Sequence, residues 1–230
     1  MIKLTIALIF ITSIFISCGS SKNQNSLDNA TFNYLALGDS YTIGESVCET
    51  CNYPTQLIDS LNQTFKKKVS VNIIAKTGWT TKDLLDAIAI KNPSNNYDFV
   101  TLLIGVNNQY QGQEFSVYEK EFPELLQKAI IFANGKKENV LVISIPDYAF
   151  TPFGKDSGKS KKISVEIDVY NAYAKKISEE NNIDFINITD VTRNGLKEPN
   201  LVAQDGLHPS KKAYKKIVER IYDNARKSFR

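Results

Sequence analysis

The sequence predicts an α/β protein, a three-layer α/β/α sandwich built on a five-stranded parallel sheet. Three observations carry that prediction. Five short runs are apolar at nearly every position, as strands covered on both faces must be. The segments between them carry apolar residues at helical spacing. The two kinds alternate along the chain, the pattern of parallel strands joined by crossover helices.

The strand runs, in order, are "FNYLALG" (32–38), "VSVNIIA" (69–75), "DFVTLLIG" (98–105), "NVLVISI" (139–145) and "IDFINI" (183–188). After the first, Leu57, Ile58, Leu61 and Phe65 share one helical face. Leu84, Leu85 and Ile88 do the same in a shorter helix that follows Thr80. Tyr118, Phe122, Leu125, Leu126, Ala129, Ile130 and Ala133 form a longer stripe, in which Pro123 predicts a kink or a late helix start. Ile167, Tyr170, Ala174 and Ile177 mark a fourth helix. A fifth, after Pro209, turns Tyr214, Ile217, Val218, Ile221, Tyr222 and Ala225 inward.

Ahead of this body stands "MIKLTIALIFITSIFISC". Lys3 followed by the apolar run Leu4 to Ile16 has the form of an export signal and is too short for a comfortable membrane span. Ser17-Cys18 resembles a bacterial lipoprotein cleavage box, with Phe15 departing from the usual leucine. The expected organisation is a signal peptide over 1–17, a lipidated Cys18 opening a polar tether over 18–31, and one domain over 32–230. The expected location is outside the cytoplasm, lipid-anchored to a bacterial membrane on the periplasmic side or at the cell surface, with the protein a monomer. Net charge is +3, from 28 basic and 25 acidic residues. That near balance gives no case for nucleic acid as a partner.

Cys48 and Cys51 form a C-x-x-C pair, which can serve metal, redox chemistry or a small disulfide loop. There is no second pair for a metal, and a thioredoxin-like site would open a helix after a strand. A local disulfide is the expectation for an exported chain.

Ligands of open parallel sheets gather at the carboxyl ends of the strands, here the loops 38–53, 76–80, 105–114, 146–163 and 189–209. The first holds "GDS", which puts Ser40 just past a strand end. The second holds Gly78, where backbone can approach a ligand closely. The third reads "GVNN", with Asn107 as a neutral amide donor suited to an oxyanion. The last reads "QDGLHPS" and contains the chain's one histidine. Pro209 predicts a helix start and places His208 near its N-cap, where the helix end disfavours an imidazolium. Asp205 then fixes the ring tautomer and leaves the other nitrogen to take a proton from Ser40. Each block alone is also an ordinary turn composition.

The four blocks in this order resemble the SGNH hydrolases, also called GDSL esterases, across nearly all of residues 32–228. The resemblance implies the flavodoxin-like fold of that family and a serine ester hydrolase working through a covalent acyl-enzyme, without cofactor or metal. It makes Ser40 the nucleophile, His208 the base and then acid, and Asp205 its orienter. The oxyanion hole would comprise the Ser40 and Gly78 N–H groups and the Asn107 side chain. Asn108 stands where the family's third block usually has aspartate, which opens the question of what holds that loop. The substrate expected is a short acyl group, such as acetyl, on carbohydrate. The alternatives are lysophospholipase, arylesterase or thioesterase action on lipid-like esters, or a catalytically silent glycan-binding lipoprotein. Tyr41, Trp79, Tyr110, Tyr148, Phe150 and Phe153 lie in or beside these loops and could stack on sugar rings, line an acyl pocket or serve packing alone. Of these, Tyr41, Trp79 and Tyr110 are the candidates for the substrate rim, with Trp79 foremost. "FGKDSGKSKK" (153–162) falls one residue short of a phosphate-binding loop and is expected to be a mobile basic rim. The basic face of the last helix is expected to be solvated surface.

Overall fold

The computed structural model describes residues 31–65 and 68–229. The expected signal peptide, Cys18 and the tether up to residue 30 lie outside the described residues.

The sheet contains β1 (Phe32–Gly38), β2 (Val69–Ala75), β3 (Phe99–Leu103), β4 (Val140–Ile143) and β5 (Asp184–Ile186). All four pairings are parallel, in the order β2-β1-β3-β4-β5. Four helices cross between strands: α2 (Tyr53–Phe65), α3 (Thr81–Lys91), α5 (Phe115–Phe132) and α7 (Ser160–Glu180). The twist of the strands favours right-handed connections of this kind. The chain steps one way from β1 to β2 and then reverses across β1 to β3, so α3, α5 and α7 cover one face. On the other, α2 packs with α9 (Lys211–Ser228), which follows the one-turn α8 (Thr189–Thr192). The sandwich and the sheet are as the sequence predicts.

The reversal lies between β1 and β3, where a crevice opens at the strand ends. Gly38 pairs with Ala75 of β2 and with Leu103 of β3, so three strands finish level. Short α1 (Ser40–Ile43) and α4 (Val106–Tyr110) leave β1 and β3 at that line. Register thus delivers the first three sequence blocks to one place.

Three strands, β3, β4 and β5, are shorter than their apolar runs. Beyond Leu103 the chain reaches Gly105, at φ +128°, where a Cβ would stand 2.6 Å from the Tyr118 ring. Only glycine turns the chain there into α4. Beyond Ile186, the N–H of Ile188 is taken by the Ser144 hydroxyl at 2.8 Å instead of a strand partner.

Helix ends follow local chemistry. Thr80 and Asp83 make a reciprocal capping box at the start of α3. Pro123 neither breaks nor delays α5, which begins at Phe115 and runs through it. A proline there leaves the carbonyl of Glu119 without its helical donor, and the Tyr173 hydroxyl donates to it at 2.8 Å.

Two local expectations are corrected. The N-cap of the last helix is Ser210, whose hydroxyl accepts from the Ala213 N–H. Pro209 instead pairs with Val202 in an isolated bridge, so His208 precedes the cap by two residues and gains little from the helix end. Residues 153–162 are ordered rather than a loose rim. Thr151 caps α6 (Pro152–Asp156), and α7 begins at Ser160. Buried Asp147 anchors the entry, accepting from Ala149 N–H at 3.0 Å, Arg193 Nε at 2.9 Å and Ser164 Oγ at 2.5 Å.

Candidate active site

Ser40 is the first residue of α1. Asp39, the N-cap, accepts from the Tyr41 N–H through Oδ1 at 3.0 Å. The Ser40 N–H has no acceptor within its helix and remains available to a ligand. The hydroxyl lies 3.0 Å from His208 Nε2. His208 Nδ1 lies 2.5 Å from Asp205 Oδ2. The first and last blocks, 165 or more residues apart, therefore meet through one buried imidazole.

Asp205 is held on both oxygens. Oδ1 accepts the backbone N–H groups of Leu207 at 2.9 Å and His208 at 3.0 Å. Oδ2 accepts from the Ser46 hydroxyl at 2.7 Å as well as facing the imidazole. Partial burial works against its charge, yet donation from His208, Ser46 and the two N–H groups outweighs this and lowers its pKa to about 2. The carboxylate is ionised at any pH at which the ring works, which suits it to hold an Nδ1–H tautomer.

Gly78 stands beside the same opening at φ +82°, with no atom within 4 Å of where a Cβ would be. Its positive φ sets the turn after β2. Asn107, in the first turn of α4, donates one Nδ2 hydrogen to the Trp79 carbonyl at 3.0 Å. That contact fixes the amide plane and leaves its second hydrogen for a ligand. Ser40, Gly78 and Asn107 line one cavity of about 240 Å³ with His208. Most of its wall is apolar or aromatic: Tyr41, Val106, Tyr110, Tyr148, Phe153 and Leu207.

Of the rim candidates, Tyr41 and Tyr110 line this cavity. Trp79 does not: its ring packs against the hydrophobic core, and only its carbonyl serves the site. A large aromatic one residue after a site glycine has no fixed direction, and here the core takes it. Of the aromatics in the fourth loop, Tyr148 and Phe153 line the cavity, whereas Phe150 packs against the core. Cys48 and Cys51 form a disulfide. Among the described residues no cluster of His, Cys, Asp or Glu is suited to a metal ion.

Asn108 answers the question its identity raised. It is fully buried; Oδ1 accepts the Thr81 N–H at 3.0 Å, and Nδ2 donates to Thr81 Oγ1 at 2.6 Å and to Gln113 Oε1 at 3.0 Å. The Thr81 hydroxyl in turn donates to Glu121. The amide joins α4 to α3 while presenting N–H, not a second negative charge, toward a glutamate one hydroxyl away.

Asp39 is also fully buried, and its Oδ2 has no hydrogen-bond partner among the described residues. Loss of hydration raises its pKa from 3.8 to about 7, against donation from the Tyr41 N–H.

A profile of the GDSL-like lipase/acylhydrolase family matches residues 36–216. The chain belongs to that family and is, by class, a carboxylic ester hydrolase. Among solved structures it resembles a lipase, Lip_vut3, from a goat rumen metagenome, with 20% identity, a TM-score of 0.66 and coverage of 84% of this chain and 97% of that one. It likewise resembles Axe2, an acetylxylan esterase of Geobacillus stearothermophilus, with 18% identity, a TM-score of 0.62 and coverage of 86% and 95%. Over 96 residues it is 32% identical to the secreted effector protein SseJ of Salmonella typhimurium, a match that spans 40% of this chain and only 22% of that longer protein.

Two outcomes follow from the buried polar groups. Asn108→Asp removes both donated bonds and sets a carboxylate near Glu121, so the unfolding free energy in denaturant falls by about 2 kcal/mol. Glu121→Gln in that background recovers part of the loss; unchanged stability in Asn108→Asp would contradict the network. For Asp39, the native chain holds a proton that the unfolded chain releases near pH 3.8. Stability is therefore lost as pH rises from about 4 to about 7 and levels off above. Asp39→Asn keeps the Oδ1 acceptor without the titration, so its Tm declines less over this window than the wild type's. Parallel Tm curves would rule out a proton held there by burial.

Proposed function

We propose that this hydrolase is a serine esterase that removes short acyl groups, such as acetyl, from carbohydrate, acting from a lipid anchor at Cys18 outside the cytoplasm. The observation that carries the reading is the Ser40–His208–Asp205 chain of hydrogen bonds opening on a small, largely apolar cavity with amide donors on its wall.

Each step has a group in reach. The Ser40 oxygen attacks the ester carbonyl while His208 Nε2, 3.0 Å away, takes its proton. The imidazolium so formed is stabilised by ionised Asp205 at Nδ1. The carbonyl oxygen, now negative, is held by the Ser40 and Gly78 N–H groups and the free Asn107 hydrogen. Such a donor contributes about 10²–10³ in kcat. His208 protonates the departing alcohol and then activates the water that releases the acyl group.

Size and polarity support the substrate. A cavity of about 240 Å³ has room for an acetyl or other short acyl group beside Ser40. Tyr110, Tyr148 and Phe153 form its far wall, with ring centroids 6.0–6.4 Å apart. The same three rings border a larger cleft of about 560 Å³, which also presents Gln113, Glu114 and Lys159. Aromatic faces beside amides, a carboxylate and an ammonium suit a sugar, with its apolar ring face and many hydroxyls.

The test pairs a nucleophile variant with a substrate series. Ser40→Ala lowers hydrolysis of p-nitrophenyl acetate by at least about 10³-fold with the fold retained. Activity of the wild type falls as the acyl chain lengthens, and acetylated oligosaccharides are deacetylated. A preference for chains above about eight carbons, or for lysophospholipids, would replace carbohydrate with a lipid substrate.

A further inference from the structure

Residues 44–52 join α1 to α2 and do not line the cavity beside Ser40, yet two consecutive side chains of this loop reach both halves of the site. Ser46 donates to Asp205 Oδ2 at 2.7 Å, across 159 positions of sequence. Glu45 accepts from the hydroxyl of Thr77, the neighbour of Gly78 and itself part of the cavity wall. One short segment thus touches the carboxylate behind the imidazole and the turn that presents an oxyanion donor.

The loop is fixed where it begins and where it ends. At its start, the N–H groups of Gly44 and Glu45 both close on the carbonyl of Ser40. Ser46 then holds φ +64°, a conformation a non-glycine residue adopts only when its surroundings determine it. At its end, Cys48 and Cys51 are joined by a disulfide, and the Cys51 N–H donates to the Cys48 carbonyl at 2.7 Å. Buried Asn52 ties the two ends together, donating to the carbonyls of Ile43 at 3.1 Å and Glu49 at 2.9 Å.

We propose that this disulfide-closed loop is a clamp on the reaction centre, in which Ser46 is a positioning residue for Asp205 and His208, and Glu45 one for the Thr77–Gly78 turn. The physical reason is rotational. With Oδ1 held by two backbone N–H groups, Asp205 has Oδ2 as its remaining freedom, and the Ser46 hydroxyl removes it. Oδ2 then keeps a lone pair aimed at Nδ1 throughout the cycle, including when the ring is charged. The disulfide limits the excursions of the loop that carries both contacts. The proposal rests on the serine esterase reading above, and its failure is distinguishable from the failure of that reading.

The decisive variant is Ser46→Gly, because glycine accepts φ +64° freely and only the hydroxyl is lost. Its Tm matches or exceeds the wild type's, while kcat for p-nitrophenyl acetate falls about tenfold with KM unchanged. The acid limb of its kcat/KM profile also moves to higher pH, since Oδ2 with one donor fewer binds the imidazolium more tightly. A purely structural Ser46 would move neither. Cys48→Ser/Cys51→Ser lowers kcat in the same direction, and adds less than its full effect when combined with Ser46→Gly and Glu45→Gln. Wild-type kcat and pH profile in Ser46→Gly, with Ser40→Ala still inactive, would overturn the clamp alone. Full additivity of the cysteine pair with Ser46→Gly/Glu45→Gln would remove the disulfide from it.

Discussion

One imidazole bridging two oxygens is the contact on which the site depends. His208 faces the Ser40 hydroxyl with one nitrogen and the Asp205 carboxylate with the other, at 3.0 and 2.5 Å. Asp205 stands three residues before His208 in the same turn, whereas Ser40 belongs to the end of β1, 168 positions away. What makes them meet is the sheet. Gly38, Ala75 and Leu103 end three neighbouring strands in register, and the reversal of chain direction between β1 and β3 opens the crevice into which Ser40, Gly78 and Asn107 project. A one-residue slip in either pairing would turn these groups away.

Around that bridge, buried polar groups are matched to their surroundings in different ways. Asn108 satisfies its amide completely and joins α4, which carries Asn107, to α3. Asp39 caps α1 with one oxygen and lacks a partner for the other among the described residues, so burial shifts it toward the neutral acid. Asp205, by contrast, is met by four donors and stays ionised. The aspartates beside Ser40 and before His208 are thus shifted in opposite directions, Asp39 up to about 7 and Asp205 down to about 2, and it is Asp205 that faces the ring.

Much of this was legible in the sequence. Runs such as "FVTLL" and the 3.6-residue stripes gave strands, helices and their order, since burial on both faces leaves little choice of residue. The GDS, GVNN and DGLH blocks pointed to Ser40, Asn107, Asp205 and His208 because their order on an α/β alternation resembles that of the SGNH hydrolases, although each block alone is ordinary turn composition. What could not be read depends on where side chains point and on long-range pairing. Trp79 turns to the core rather than the cavity, and residues 153–162 fold into α6 and the start of α7, flanked by the pairing of Asp147 with Arg193, 46 positions apart. Pro123 is accommodated because Tyr173 serves the carbonyl it frees. Ser46 carries no local signal except the cysteines that follow it, and its contact with Asp205 exists only after folding.

The most direct measurement of the central claim is covalent. A fluorophosphonate probe reacts with a serine whose hydroxyl is activated by a neighbouring base, and mass spectrometry of the digested protein locates the adduct. The account predicts one adduct per chain, on the peptide that contains Ser40, and its loss in His208→Ala. An unlabelled protein that still cleaves esters, or an adduct on a different serine, would contradict it.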